Sequence, residues 1–290
     1  MITEHKLPLS CVIDETVYLA TTVLVGEGTV ISGEVEVHEE VQLGRYCVLE
    51  GAPGLKTIIG PGTVLEDYVK IHPGVSLGRD SRVESFTVLG HPTKADLMGR
   101  DDAQHSERVL DLLVPQAVTV IGPRATIRSH SVIYTHVRIG AALNTGHSIM
   151  IREHTRIGDR CVFGTHGSTD GYCRLGDSAH IGQYAQLSQS ARIGHGVFIG
   201  GHSVFSDNKG AIRDVEDDLF GATIDDYVRV GLGCVILPTV HIGAGAMIGA
   251  GSVVTKNVPK QSVAYGNPAR VARELSAAEL QKYINSVDSH

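Results

Sequence analysis

The chain has 290 residues, with 25 Lys and Arg against 32 Asp and Glu and a formal net charge of −7. No basic stripe runs along it, which argues against a nucleic-acid partner, and no apolar run reaches the length of a membrane span. Met1-Ile-Thr-Glu-His-Lys6 lacks the make-up of a signal peptide, so a cytoplasmic, soluble protein is expected.

Residues 1–24 read as a lead-in or cap. From Val25 an aliphatic residue recurs every six positions, at Val25, Ile31, Val37, Leu43 and Leu49. After four extra residues it resumes at Ile59, Leu65, Ile71, Leu77, Val83 and Leu89. The beat restarts at Ile121, holds to Phe205, and runs again from Ile224 to Val254. Only Thr145 and Thr169 are neither aliphatic nor Phe. Gly often follows the beat (Gly122, Gly158, Gly182, Gly200), and a small residue or Val stands four after it (Cys161, Ala179, Ala185, Val197).

A period of six is neither a helix nor a simple alternation. It fits a short strand and a corner, with the beat residue and the small residue on the same side of the pleat. Three hexads make one coil, so that residues 18 apart stack, and hexapeptide periods of this kind mark a parallel β-helix. With coils ~4.8 Å apart, residues 25–260 predict roughly ten coils and a prism about 50 Å long. The narrow interior explains the absence of Trp and the count of only five Phe, while the 34 Gly are expected at corners that need a positive φ. Cys47, Cys161, Cys173 and Cys234 fall on the small interior position and are expected as core fillers; Cys11 precedes the repeat. No metal or disulfide spacing appears.

Two insertions interrupt the beat, at 91–116 and 206–223, where a solenoid can carry function without disturbing its coils. The first includes a helical-looking stretch, Glu107–Val114, and reads as cover, subunit contact or a wall for an acceptor. The second, with Asp207, Asn208, Lys209 and an acidic run at 214–218, reads as an active-site loop. Residues 261–290 form an exit segment and a capping helix. Ser276-Ala-Ala-Glu279 has the form of a capping box, and Leu280, Tyr283, Ile284 and Val287 share one apolar face. That helix is expected to cap an open β edge.

Fifteen histidines are many for this length, and column arithmetic organises them. His130, Ser148, His166, Tyr184 and His202 share a column three after the beat. His136 and His154 precede Tyr172, Ser190 and Asn208 in a second, and His147 lies two after the beat with Ser129, Thr165 and Gln183. All these offsets point outward or sit at corners.

The pattern Ile157-Gly158-Asp159-Arg160-Cys161-Val162, repeated along most of the chain, resembles the hexapeptide-repeat acyltransferase superfamily. The resemblance implies an all-β fold, a left-handed parallel β-helix with a short C-terminal α-helix, although parallel crossovers are usually right-handed. It also implies a homotrimer, in which some exterior faces become clefts between subunits. Ile127-Arg-Ser-His-Ser-Val-Ile-Tyr134, followed by Asn144-Thr-Gly-His147-Ser-Ile-Met-Ile-Arg-Glu153, looks like the branch that acylates amino groups of nucleotide-linked deoxysugars. Members of that branch carry an Asn-Asp-Lys loop two to three coils later; here it reads Asp207-Asn208-Lys209, with Asp and Asn exchanged. The implied reaction is transfer of an acyl group from acetyl-CoA or another acyl-CoA to the amine, with no metal.

An amine attacks a thioester only as the neutral base, so the site needs a proton acceptor, for which His is the natural residue. A backbone N–H at a Gly corner can serve the oxyanion. His147 is the candidate base, with substrate contact and packing as its other readings, and the departing coenzyme thiolate is an alternative acceptor. Glu153 either orients His147 or holds the sugar amine. Asp207, Asn208, His154 and His136 are candidates for acceptor binding, the two histidines with subunit packing as the other reading. Lys256, Asn267 and Arg270 lie in the last coil and exit, which in the superfamily line the coenzyme A groove.

The exterior histidines also resemble the γ-class carbonic anhydrases. His166 and His202 are two coils apart and Asp207 follows five later, giving two histidines and a carboxylate in place of three histidines. That match implies a metal-dependent lyase with an open water position. A non-catalytic trimeric scaffold is the third reading, and another small amine, such as an amino acid or aminoglycoside, is the alternative acceptor.

Overall fold

The computed structural model describes residues 8, 10–93, 96, 118–207 and 221–288. The stretch Glu107–Val114, Asn208, Lys209 and the acidic run 214–218 lie outside the described residues. The chain divides into two compact units, Met1–Ala142 and Leu143–His290. Each is a parallel β-solenoid of short strands.

In the first unit Val12–Ile13 pairs with Val30–Ile31, which pairs with Val48–Leu49. Tyr18–Leu19 pairs with Glu36–Val37, and Leu24–Val25 with Gln42–Leu43, so each coil adds one strand to each of three sheets. Coiling therefore starts at Val12, ahead of Val25, because Ile13 and Leu19 already keep the six-residue beat. The four extra residues before Ile59 are taken up by a small loop closed at Ala52 and Leu55. Register then resumes, with Leu49 beside Ile71. It also survives the 91–116 insertion, with Leu89 beside Ile133.

The second unit repeats the plan. Asn144–Thr145 pairs with Val162–Phe163, Met150–Ile151 with Ser168–Thr169, and Arg156–Ile157 with Arg174–Leu175. Ile193 pairs with Ile224 across the 206–223 insertion. After the last coil, Met247–Ile248 pairs with Val263–Ala264. Ser262–Gly266 then turns through a cis Asn267–Pro268 bond into an antiparallel hairpin with Ala269–Glu274. Among the described residues, no helix is long and apolar enough to cross a membrane.

The beat residues line the interiors: Ile31, Leu49, Ile71, Leu89 and Ile133 are fully buried in one unit, and Ile151, Phe163, Ile181 and Ile199 in the other. Each such side chain stabilises by about 1.5–3 kcal/mol when it leaves water. Cys47, Cys161, Cys173 and Cys234 are fully buried and free of disulfides, as core fillers should be. Burial pushes the Cys161 and Cys173 thiols up to about 12. Thr169 is also fully buried, and its hydroxyl accepts from the Arg152 backbone N–H at 3.2 Å, so the polar exception in the beat is satisfied.

The corners differ from the expectation for Gly. The positive-φ position, three after the beat, is held mostly by other residues, including Tyr46, Tyr68, Phe86, His130, His166, Tyr184 and His202, with φ between 54° and 61°. Their rings stack along the solenoid axis. Tyr46 lies over Tyr68 at 5.3 Å, Tyr68 over Phe86 at 5.0 Å, and Phe86 over His130 at 5.0 Å. The glycine after the beat serves another purpose. A Cβ on Gly122 would sit 2.5 Å from the Gly140 carbonyl oxygen, and one on Gly158 would sit 2.7 Å from the Asp177 backbone nitrogen. Close approach of neighbouring coils, not φ, demands Gly there.

The C-terminal helix, Ala277–Asp288, begins at the expected capping box. Ser276 N–H donates to Glu279 Oε2 at 2.9 Å, and Glu279 N–H donates to Ser276 Oγ at 3.3 Å. The helix does not close the end of the coil stack. It lies along a lateral corner, where Gly245 and Gly196 leave room for Leu280 and Val287. Arg229 donates to the Tyr283 carbonyl at 3.4 Å and lies over the Tyr283 ring at 5.4 Å. The edge beyond Met247–Ile248 is covered by the hairpin instead.

Candidate functional site

His147 is an exposed corner residue between the strands Asn144–Thr145 and Met150–Ile151. Thr145 before it is buried, and Gly146 permits the corner because a Cβ there would stand 2.3 Å from the Thr165 nitrogen. The His147 N–H donates to Thr165 Oγ1 at 3.3 Å, and its carbonyl accepts from His166 N–H at 2.9 Å. The backbone is thereby fixed from the next coil while the imidazole faces outward.

Glu153 sits at the following corner, after Met150–Ile151, and is only 8% exposed. Both carboxylate oxygens are taken by its neighbour Arg152, with Nε to Oε2 at 3.0 Å and Nη2 to Oε1 at 2.7 Å. Gly171 makes room above it: a Cβ there would lie 3.1 Å from the Glu153 carbonyl oxygen. Within the chain, Glu153 is therefore oriented by Arg152 and not paired with His147. Sequence spacing alone could not show this, because the two residues fall on different corners of the same coil.

His154, next to Glu153, has its ring 4.7 Å from that of Tyr172 and 23° from parallel. His136 holds the same corner position in the first unit, with φ 57°. Asp207 is half-buried just after the strand Val204–Phe205, whereas Asn208 lies outside the described residues. Lys256 and Asn267 are exposed beyond the last coil, and the exposed Arg270 donates to the Ala269 carbonyl at 2.8 Å. A recess of about 270 Å³ in the first unit is lined by Tyr18, Glu34, Glu36 and Lys56, and none of the candidate residues borders it.

The histidines of the carbonic-anhydrase-like match are held apart. The ring of Tyr184 lies 4.8 Å from His166 and 4.9 Å from His202, nearly parallel to both. The two imidazoles thus occupy opposite faces of one phenol ring. Among the described residues, no group of three or more His, Cys, Asp or Glu is arranged to hold a metal ion.

Residues 221–256 match the family described as the hexapeptide repeat of succinyl-transferase. Short stretches are similar to acetyltransferases. The chain is 42% identical over 60 residues to the galactoside O-acetyltransferase of Lactococcus lactis, covering 21% of this chain and 29% of that protein. It is 58% identical over 50 residues to the putative acetyltransferase SAR2635 of Staphylococcus aureus, covering 17% of this chain and 25% of that protein. The chain thus spans less than a third of the length of the relatives it matches. Among solved structures, LpxA of Acinetobacter baumannii superposes with a TM-score of 0.44 at 19% identity, over 96% of this chain and 80% of that one. PerB of Caulobacter crescentus, in complex with CoA and GDP-perosamine, superposes with a TM-score of 0.30 at 18% identity, over 66% of this chain and 70% of that one. Residues 221–256 thus carry the hexapeptide repeat described for succinyl-transferase, and the short matched stretches are similar to acetyltransferases.

Proposed function

We propose that the protein is an acyl-CoA-dependent N-acyltransferase. It transfers an acyl group, most simply acetyl, to the amine of a nucleotide-linked amino-deoxy sugar, and it works as a homotrimer of left-handed coils in the cytoplasm. The observation that carries this reading is the corner at Gly146–His147. There an imidazole is presented outward on a backbone anchored by Thr165, within the Thr-Gly-His…Ile-Arg-Glu coil. The names of the matched relatives, acetyltransferases and a succinyl-transferase repeat, support acyl-CoA as donor.

In this reading the neutral amine attacks the thioester carbonyl and the carbonyl oxygen becomes an oxyanion held by N–H donors. The ammonium proton passes to His147 Nε2 or Nδ1, the carbon–sulfur bond breaks, and the thiolate leaves with that proton. Lys256, Asn267 and Arg270 contact the coenzyme. Asp207, Asn208, His154 and His136 contact the acceptor. Glu153, held by Arg152, addresses the acceptor amine. Because one strand separates His147 from Glu153, the reading brings them into one cleft only across subunits.

The test is release of coenzyme A thiol from acetyl-CoA against a panel of dTDP- and UDP-linked amino sugars, with the product identified by mass spectrometry. Amide formation with one acceptor supports the reading; silence across the panel sinks it. A sugar hydroxyl is the second reading, because the Lactococcus and Escherichia relatives are named galactoside O-acetyltransferases. Free galactosides in the same panel, scored for an ester, separate the two.

A further inference from the structure

Three arginines stand side by side on one outward face of the second unit. Arg156 and Arg174 are directly paired across neighbouring strands, and Arg174 and Arg192 are paired across the next two. Each precedes a buried beat residue (Ile157, Leu175, Ile193) by one, so the pleat turns all three side chains to the outside. Arg156 is half-buried, and Arg174 and Arg192 are exposed.

Like charges directly opposite one another on a sheet are destabilising. Elsewhere the chain neutralises such residues: Arg45 pairs with Asp67, Arg82 with Glu66 and Arg128 with Glu84. No ion pair to Arg156, Arg174 or Arg192 is formed among the described residues. The nearby acids are otherwise engaged. Asp177 accepts from the Asp159 backbone N–H at 2.8 Å, Asp226 accepts from the His195 N–H at 2.7 Å, and Glu153 is held by Arg152. On a chain of net charge −7, three guanidinium groups at one-coil intervals, with no ion pair among the described residues, form a local row of cations.

The stripe has a shape as well as a charge. Gly158, Gly176 and Gly194, each two residues after an arginine, border one side of it; coil packing requires them, since a Cβ on Gly176 would lie 2.7 Å from the His195 nitrogen and the space beside Gly158 and Gly194 is filled by the carboxylates of Asp177 and Asp226. On the other side, the corner carries the stacked rings of His154 and Tyr172. Guanidinium forks bind phosphoryl oxygens in a bidentate manner, better than a point charge does. Strand spacing of ~4.8 Å lets adjacent arginines share one phosphoryl group or grip two linked ones.

We propose that Arg156, Arg174 and Arg192 form a binding site for the diphosphate of a nucleoside diphosphate. The choice of nucleotide rests on the function proposed above, where the acceptor and coenzyme A both carry a diphosphate; the anion site itself does not.

The experiment is calorimetric titration of the full chain with inorganic pyrophosphate, UDP, dTDP and coenzyme A, for wild type, Arg174→Gln and Arg174→Lys, with Arg45→Gln as a paired-arginine control. The site predicts saturable pyrophosphate binding that weakens steeply with salt, falls about tenfold or more in Arg174→Gln, and is only partly restored by Lys. Arg45→Gln leaves it unchanged. If only UDP or dTDP affinity falls with Arg174→Gln, the stripe serves the acceptor; if only coenzyme A affinity falls, it serves the donor. Absence of saturable pyrophosphate binding, or equal affinity in wild type and Arg174→Gln, overturns the proposal. So does a change of sedimentation mass in Arg174→Gln, which would make the stripe a subunit contact. None of these readouts needs turnover, so failure of the acyltransferase reading leaves the pyrophosphate result interpretable.

Discussion

The rings of Tyr68 and Phe86 lie 5.0 Å apart and 4° from parallel, and both residues have a positive φ, 59° and 61°. A side chain in that backbone region costs about 1–2 kcal/mol. Offset stacking of aromatic rings returns about 0.5–1.5 kcal/mol per pair beyond the area they cover. Phe86 stacks on both sides, on Tyr68 and on His130, so its two contacts offset the backbone cost. Column and corner support each other: the coil spacing that strains the residue also places its ring at stacking distance.

Substitution at Phe86 separates the two effects. Phe86→Ala keeps the unfavourable φ and loses both stacks, and should lower stability by about 1–3 kcal/mol. Phe86→Gly loses the same stacks but relieves the backbone, and should be the more stable variant by about 1 kcal/mol. Urea unfolding of the two variants decides it. An Ala variant as stable as the Gly variant would mean that the corner stores no backbone cost.

Much of the fold was legible because the aliphatic beat is a direct image of burial. Ile157, Ile181 and Ile199 are buried where the count puts them, and four cysteines fill the small position. The start at Val12 was missed because the count was begun at Val25, although Ile13 and Leu19 continue the same run without a break. The corners were misread because Gly is the general answer to a positive φ, whereas stacking across coils lets Tyr, Phe and His take the place. The hairpin Ser262–Glu274 has no beat and little alternation, so nothing local announced it.

The buried thiols set an alkaline limit. The Cys161 and Cys173 thiols, pushed from 9.0 to about 12 by burial, stay protonated in the fold at pH values where the unfolded chain releases those protons. The unfolded state then binds fewer protons, so stability falls as pH rises from about 9 towards 12, by on the order of a few kcal/mol. Urea midpoints at pH 8, 10 and 11 should drop for wild type and drop less for the Cys161→Ala, Cys173→Ala double variant. Parallel slopes in the two proteins would refute the assignment.

The C-terminal helix should loosen in acid. The Arg273 guanidinium and then the Ser276 cap hold the Glu279 carboxyl down at about 2. A depressed carboxylate stabilises the folded form above the unfolded value of 4.5 and ceases to do so as pH falls towards 2. Amide protection of residues 277–288 should therefore decline between pH 4.5 and 2, while Glu279→Gln shows the lower protection already at pH 6. Equal protection in both proteins at pH 6 would mean that the Ala277–Asp288 helix is held by its apolar face alone.

The site was legible as residue types and only in part as geometry. Counting in eighteens gathered His166, Tyr184 and His202 into one column, and their stacked rings follow that count. The same count applied to arginines would have exposed Arg138, Arg156, Arg174 and Arg192, each one before a beat residue. Glu153 was named as a candidate, but its pairing escaped because the partner is its own neighbour, Arg152, a contact that spacing rules do not report.

The proposed base is testable without knowing the natural acceptor in advance, provided one panel member turns over. His147 is exposed and its backbone is tied to Thr165, so His147→Ala and His147→Gln should fold as wild type and change only the corner's chemistry. As general base, its loss should lower kcat by roughly 10²–10⁴-fold with little change in KM, and should abolish the rise of kcat/KM with pH. As a binding residue, its loss would raise KM with kcat nearly intact. A kcat within about threefold of wild type would hand proton acceptance to the departing thiolate, since no more than a small factor is then left for a protein base.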